Sequence, residues 1–225
     1  MTTSAEIKQW AFNLGADLCG IASVERFSDA PVGFHPRDVY PGTQSVIVIA
    51  IREHKSSLYA TSPVPYTFSS SVALQKIFGI TYDLISKLEE RKIIAIAIPS
   101  EPYEYWDAEN TTGKGILSLK HAAHLVGLGV IGRNTLLVNR KFGNLIRLSA
   151  IITNVQLDSD PIENFEFCTD ACNLCINSCP GGAIGHNSVN QKKCRPNSSV
   201  NNKKGESLYV CNNCRKVCPY LTGFA

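Results

Sequence analysis

Eight of the nine cysteines fall in the last 58 residues, in two runs that each close on Cys-Pro. The first run is Cys168, Cys172, Cys175 and Cys179, followed by Pro180. The second is Cys211, Cys214 and Cys218, followed by Pro219, with Cys194 between the runs. Thiolate is the soft ligand that iron–sulfur chemistry requires, and gaps of two or three residues let one loop wrap several corners of a [4Fe–4S] cube. In paired runs of this kind the cysteine before proline ligates the other cluster. The rule predicts one cluster on Cys168, Cys172, Cys175 and Cys218, and a second on Cys179, Cys194, Cys211 and Cys214. The first gap is three residues where two is usual, which reads as a wider loop with no ligand lost. Two such clusters do one-electron chemistry, so the spacing points to an electron-transfer protein or a reductase.

Two other uses of cysteine must be weighed. Eight thiolates would also fill two four-cysteine zinc sites, but the Cys-Pro endings and the three-residue gaps favour the cube. A disulfide framework belongs to small secreted chains, and the N-terminus MTTSAEIKQW has no apolar signal core. Free thiols and clusters fit a reducing cytoplasm, and no apolar run is long enough to span a membrane. Cys19 stands apart in an apolar stretch and is expected in the core.

Charge is unevenly spread. The chain carries +3 overall, but from Lys192 onward seven basic residues face Glu206 alone, giving that tail +6 and the rest about −3. Such a surface suits an acidic electron donor of ferredoxin or flavodoxin type, or the phosphates of a nucleic acid; a solvated loop would look the same.

The elements that must position the cysteines come earlier. Thr3 and Glu6 form a capping-box pattern ahead of Ile7, Trp10, Ala11 and Leu14, with Gly15 as a stop. Residues 18–22 read as a strand and 28–42 as a proline-broken loop. Residues 45–51 (SVIVIAI) and 93–98 (IIAIAI) read as strands buried on both faces. Leu74, Ile77, Phe78, Thr81, Leu84, Ile85 and Leu88 outline a helix face. Residues 118–126 predict a short helix and 145–155 a long strand. Regular patterning stops near residue 158, which predicts an α+β (or α/β) domain over 1–157 and a small cluster domain over 158–225.

Gly127, Gly129 and Gly132 spell G-x-G-x-x-G, but a helix precedes them and no acid follows at the distance a dinucleotide site needs. The expectation is a tight turn that lets a large planar or phosphate-bearing ligand approach, with Arg133 and Asn134 supplying polar contacts. A reductase also needs a proton source. Tyr103, Tyr105, Asp107 and Glu109 in one aromatic, acidic loop are candidates, as are His121 and His124, three apart on the short helix. Aromatic anchoring of the loop and surface histidines are the plainer alternatives. Lys114 and Lys120 are candidates to pair with ligand phosphates. A flavin has no recognisable phosphate site here.

Residues 119–137 (LKHAAHLVGLGVIGRNTLL), then Phe142-Gly143, then the paired Cys-Pro runs, resemble the epoxyqueuosine reductases and, more loosely, the reductive dehalogenases. Residues 30–36 (APVGFHP) and 41–49 (PGTQSVIVI) resemble the short branch of that family. The resemblance implies a nitroreductase-like N-terminal domain followed by a bacterial-type 2[4Fe–4S] ferredoxin domain, with cobalamin between them. It implies that the clusters feed electrons to the corrinoid, that the Gly127–Asn134 turn and His121 lie near it, and that the substrate is a modified base in tRNA. The chain departs from the family where those enzymes carry a proton-donating Asp: Gly113 stands there. Lys120 stands in place of Arg, and only seven residues follow Cys218, so no helical-repeat extension is expected. Three readings follow: a corrinoid-dependent reductase, an electron-transfer partner with clusters but no corrinoid, or a tRNA epoxyqueuosine reductase proper.

Overall fold

The computed structural model describes residues 2–186 and 188–224. In chain order its elements are α1 (Ser4–Asn13), β1 (Leu18–Ser23), α2 (Pro36–Val39), β2 (Ser45–Arg52), α3 (Val64–Glu90), β3 (Ala95–Ile98), β4 (Tyr105–Asp107), β5 (Thr112–Lys114), α4 (Leu119–Leu125), β6 (Val130–Ile131), β7 (Leu137–Val138), β8 (Ile146–Thr153), α5 (Leu174–Asn177), α6 (Gln191–Ser198), β9 (Ser199–Asn201), β10 (Ser207–Tyr209) and α7 (Asn213–Lys216).

A four-stranded antiparallel sheet, ordered β1-β2-β8-β3, forms the centre. The apolar run of β2 is buried throughout because helices and loops cover both faces. Ile47, Ile49 and Ile51 pack with Ile7 of α1 and Ile77, Leu84 and Leu88 of α3. Val46, Val48 and Ala50 point the other way, onto Ala122, Ala123 and Val126 in and after α4. Period-two alternation therefore feeds two cores from one strand, and each fully buried isoleucine contributes about 1.5–3 kcal/mol. Cys19 lies in the first of these cores, and burial pushes its thiol up to about 12.

The expected capping box is present: the Thr3 hydroxyl accepts from Glu6 N–H while the Glu6 carboxylate accepts from Thr3 N–H at 2.9 Å. Gly15 follows with φ +100°. Three expectations need correction. The strand expected over 93–98 is not buried on both faces: β3 is an edge strand paired only with β8, and Ile94 is exposed. The loop expected over 28–42 contains α2, which Pro36 starts and which the His35 ring and the Asp38 carboxylate cap. Helix α3 begins ten residues before its expected face, because Val64, Phe68 and Val72 point to solvent and leave no core stripe to read.

After residue 157 the chain adds no strand to the central sheet. It is stitched to β1 as it leaves: the Asp160 carboxylate accepts from Ile21 N–H at 2.8 Å and pairs with Lys8, and the Ser159 hydroxyl accepts from Ser23 N–H at 2.8 Å. Phe165 and Phe167 then pack with Val138, Tyr220 and Phe224 in a small third core beneath the cysteines.

Candidate metal centre

The cysteine segment has little regular structure of its own. Helices α5 and α7 are single turns, each beginning just before a cysteine of its run. Cys168, Cys172, Cys175 and Cys218 line one cavity, with Phe167, Leu174 and Tyr220 as apolar wall. Burial raises the Cys175 and Cys218 thiols, and negative charge on Cys168 would raise both further. The other four form a second group. Burial raises Cys194, with Cys179 and Cys211 as its charged neighbours. Burial pushes Cys214 up to about 11, with Cys211 and Cys194 adding to it and Cys175 acting from the first group. The thiols surround space and do not meet at a point: among the described residues no three His, Cys, Asp or Glu side chains gather as around a single ion.

Buried polar side chains from the sheet half hold both runs. Arg133 is 5% exposed. Its guanidinium donates to the carbonyl of Cys172 at 2.6 Å and to Asn173 Oδ1 at 3.0 Å, and lies 3.6 Å from the Asp170 carboxylate. The Asn134 amide donates to the carbonyl of Cys214 at 2.9 Å, and that of Asn144 to the carbonyl of Arg215 at 3.2 Å. Arg215 itself pairs with buried Glu53, which also pairs with Arg147 of β8 at 2.6 Å. These hydrogen bonds fix carbonyls beside the cysteines, which is what presets a loop for its metal.

At the glycine turn, backbone from elsewhere in the chain comes close. A Cβ on Gly127 (φ +79°) would strike the Pro161 carbonyl, and one on Gly129 (φ +159°) would strike that of Val138. These two glycines make room for protein backbone. Gly132, Arg133 and Asn134 do line a cavity, but it is the one ringed by cysteines.

The four proton-donor candidates lie together, in or beside the hairpin of β4 and β5, and none lines that cavity. Tyr103 stacks on Trp106 at 6.0 Å, and the Arg195 guanidinium lies 5.3 Å and 4.8 Å from their ring centres. Gly113 N–H donates to Gln191 Oε1 at 2.9 Å, and Gln191 Nε2 donates back to the Gly113 carbonyl at 3.0 Å. The hairpin is thus docked on α6, the helix that carries Cys194. A side chain at Gly113 would press on the Tyr103 ring and the Arg195 guanidinium and displace them. Asp107 accepts from the backbone and side-chain N–H groups of Asn110, which hold its carboxyl below the usual range. It caps the turn that joins β4 to β5. Tyr105 is half exposed beneath Lys114, whose Nζ is 5.5 Å from the ring centre, and Glu109 is exposed.

The histidines also separate. His121 Nδ1 shares a 2.7 Å hydrogen bond with Ser118 at the start of α4, and His124 Nδ1 lies 2.8 Å from the Gly129 carbonyl, inside the turn. Burial, then Lys120 and His124, lowers the His121 pKa; burial lowers that of Lys120. The basic tail is partly internal. Arg195 and Arg215 are consumed by the hairpin and Glu53, which leaves Lys192, Lys193, Lys203, Lys204 and Lys216 as its exposed charge, with Lys192 donating to Asn110 at 3.1 Å. Glu53, Asn144, Gln191, Arg195 and Arg215 went unread as supporting residues. No local pattern marks Glu53 or Asn144, since their partners lie across the fold.

No family model matches the chain. It is 27% identical over 251 residues to epoxyqueuosine reductase of Leadbetterella byssophila, covering 96% of this chain and 79% of that protein. Among solved structures, epoxyqueuosine reductase with an epoxyqueuosine-modified tRNA-Tyr stem loop superposes with a TM-score of 0.67 at 18% identity, covering 98% of this chain and 66% of the other. A reductive dehalogenase described for B12-dependent dehalogenation superposes with a TM-score of 0.68 at 19% identity, covering 96% and 31%. The chain is epoxyqueuosine reductase-like in sequence and shares its mixed helix-and-sheet fold with both groups. It spans between 51% and 79% of the length of the epoxyqueuosine reductases it matches.

Proposed function

We propose that this chain is an iron–sulfur oxidoreductase carrying two [4Fe–4S] clusters, which deliver single electrons to a corrinoid-dependent reduction. In this reading residues 1–157 are the nitroreductase-like frame and 158–225 the ferredoxin-like unit. The observation that carries it is the sorting of eight thiols into two groups of four, Cys168, Cys172, Cys175 and Cys218 against Cys179, Cys194, Cys211 and Cys214, each drawing on both Cys-Pro runs. The donor set fits the group: soft thiols, held by side-chain bonds to neighbouring carbonyls and walled by Phe167 and Tyr220. When bound, the clusters accept and release one electron at a time. The protein's part is to fix their spacing, through Arg133 and Asn134, and to exclude water through the aromatic core below.

The relatives support a corrinoid. A second reading is an electron-transfer partner that binds clusters and no corrinoid, which the exposed basic tail would suit. Action on tRNA would need a proton source elsewhere than Gly113. The exposed lysines of the tail suit docking of a low-potential, acidic donor.

Anaerobic reconstitution tests the reading. About eight irons per chain are expected, falling by about half in Cys218→Ser and in Cys194→Ser. A single four-iron complement in the unaltered chain would overturn it. Desalting after cobalamin addition separates the two readings: retained cobalamin supports the reductase, and none retained leaves the electron-transfer partner.

A further inference from the structure

A second cavity, of about 460 Å³, opens where the end of β2, the loop before β8 and Thr222 meet. It contains none of the cysteines. Its size falls within the range of small-molecule sites. Arg52, His54, Lys55 and Lys141 stand around it with exposed side chains, and among the described residues none of them forms an ion pair. Glu53 is the one acid in the lining. Its oxygens are taken by Arg147 and Arg215, so it does not neutralise the rim. Asp17 meets the backbone N–H of Arg52 at 2.8 Å and lies outside the lining. The rim therefore carries three positive charges without counting His54. Phe142 and Leu145 form an apolar wall, with Lys141 Nζ 5.0 Å from the Phe142 ring centre.

We propose that this cavity binds a small phosphate-bearing ligand of nucleotide size. Cations placed around one cavity repel one another unless an anion is shared between them. A phosphate monoester brings nearly two charges and three acceptor oxygens, enough for the arginine fork and both lysines together. A lone carboxylate would leave most of the rim charge unmet. The apolar wall beside the cations gives the uncharged part of such a ligand a surface to cover.

The test is isothermal titration of the cluster-loaded protein with adenosine 5′-monophosphate, using adenosine as the phosphate-free control. Saturable one-to-one binding of the monophosphate and none of adenosine is expected. The pair Arg52→Gln with Lys141→Gln should weaken it by about tenfold or more. The pair Lys203→Gln with Lys204→Gln should leave it unchanged. Both pairs alter exposed ends only, and cluster absorbance with circular dichroism checks that each variant folds. Phosphorus NMR line broadening of the monophosphate with the unaltered chain needs no variant at all. No broadening, equal binding of adenosine, or equal weakening by the two pairs would overturn the proposal. So would binding of a single-stranded RNA through Lys203 and Lys204 with no binding of the free nucleotide.

Discussion

Arg215 and Glu53 form an ion pair that joins the single turn between Cys214 and Cys218 to the strand at the centre of the sheet. Their side chains are 14% and 5% exposed, and Arg147 completes a three-membered group. Removing the carboxylate leaves two guanidinium groups with no acid between them. Glu53→Gln is expected to cost about 3 kcal/mol or more of stability, the usual result of breaking one side of a buried pair. A thermal melt followed by circular dichroism measures it, and an unchanged midpoint would show the pair to be ornamental.

Arg133 reaches the first cysteine loop at three acceptors, of which the Cys172 carbonyl at 2.6 Å is the nearest. Arg133→Met keeps the apolar stem and removes every donor. Iron content after reconstitution should fall towards half, with the second cluster retained. Full iron loading in this variant would mean that the loop organises itself.

The stack of Tyr103, Trp106 and Arg195 couples the β4–β5 hairpin to the helix that bears Cys194. Gly113→Asp puts a side chain where Tyr103 and Arg195 already are. In a Trp10→Phe background, this change should shift Trp106 emission to the red as the ring enters water, and Arg195→Ala should do the same. Emission unmoved in both would exclude the coupling.

His121 gives the fold a pH dependence of known sign. Burial, with Lys120 and His124, lowers its folded pKa. Below the ordinary histidine value of about 6.5 the unfolded chain takes up a proton that the folded chain resists, so stability falls as pH drops through that window and levels off below the folded pKa. Above it the group contributes no slope. His121→Asn should flatten the fall of urea-unfolding stability that sets in below about pH 6.5. An unchanged slope would assign the effect to another group.

The cysteine runs themselves were legible because spacing is a local signal that survives without tertiary context. So were β2 and β8, whose apolar runs have one explanation in a two-core fold. The supporting side chains were not. Arg133 and Asn134 stood out beside a glycine motif, yet their partners lie about 40 and 80 residues away. Proximity in sequence assigned them to a ligand, and proximity in space assigns them to the cysteine loops. The glycine spacing could signal only a close approach, and at Gly127 and Gly129 the neighbouring backbone is that of Pro161 and Val138. Tyr103 and Trp106 read equally well as a binding platform or an anchor, and only the position of Arg195 decides between them.

The interleaving of the two runs has a consequence in time. Cys218 is made 50 residues after Cys168, the thiol it faces across the first cavity. At ribosomal rates of roughly 5–20 residues per second, Cys168, Cys172 and Cys175 wait several seconds with their fourth corner unmade. During that interval the growing chain presents an incomplete thiol nest to any metal or oxidant in reach. On the proposed ligand set, loading of this cavity is a race in which the last corner arrives late, and synthesis that outpaces the supply of iron and sulfide would leave the first run exposed for longer.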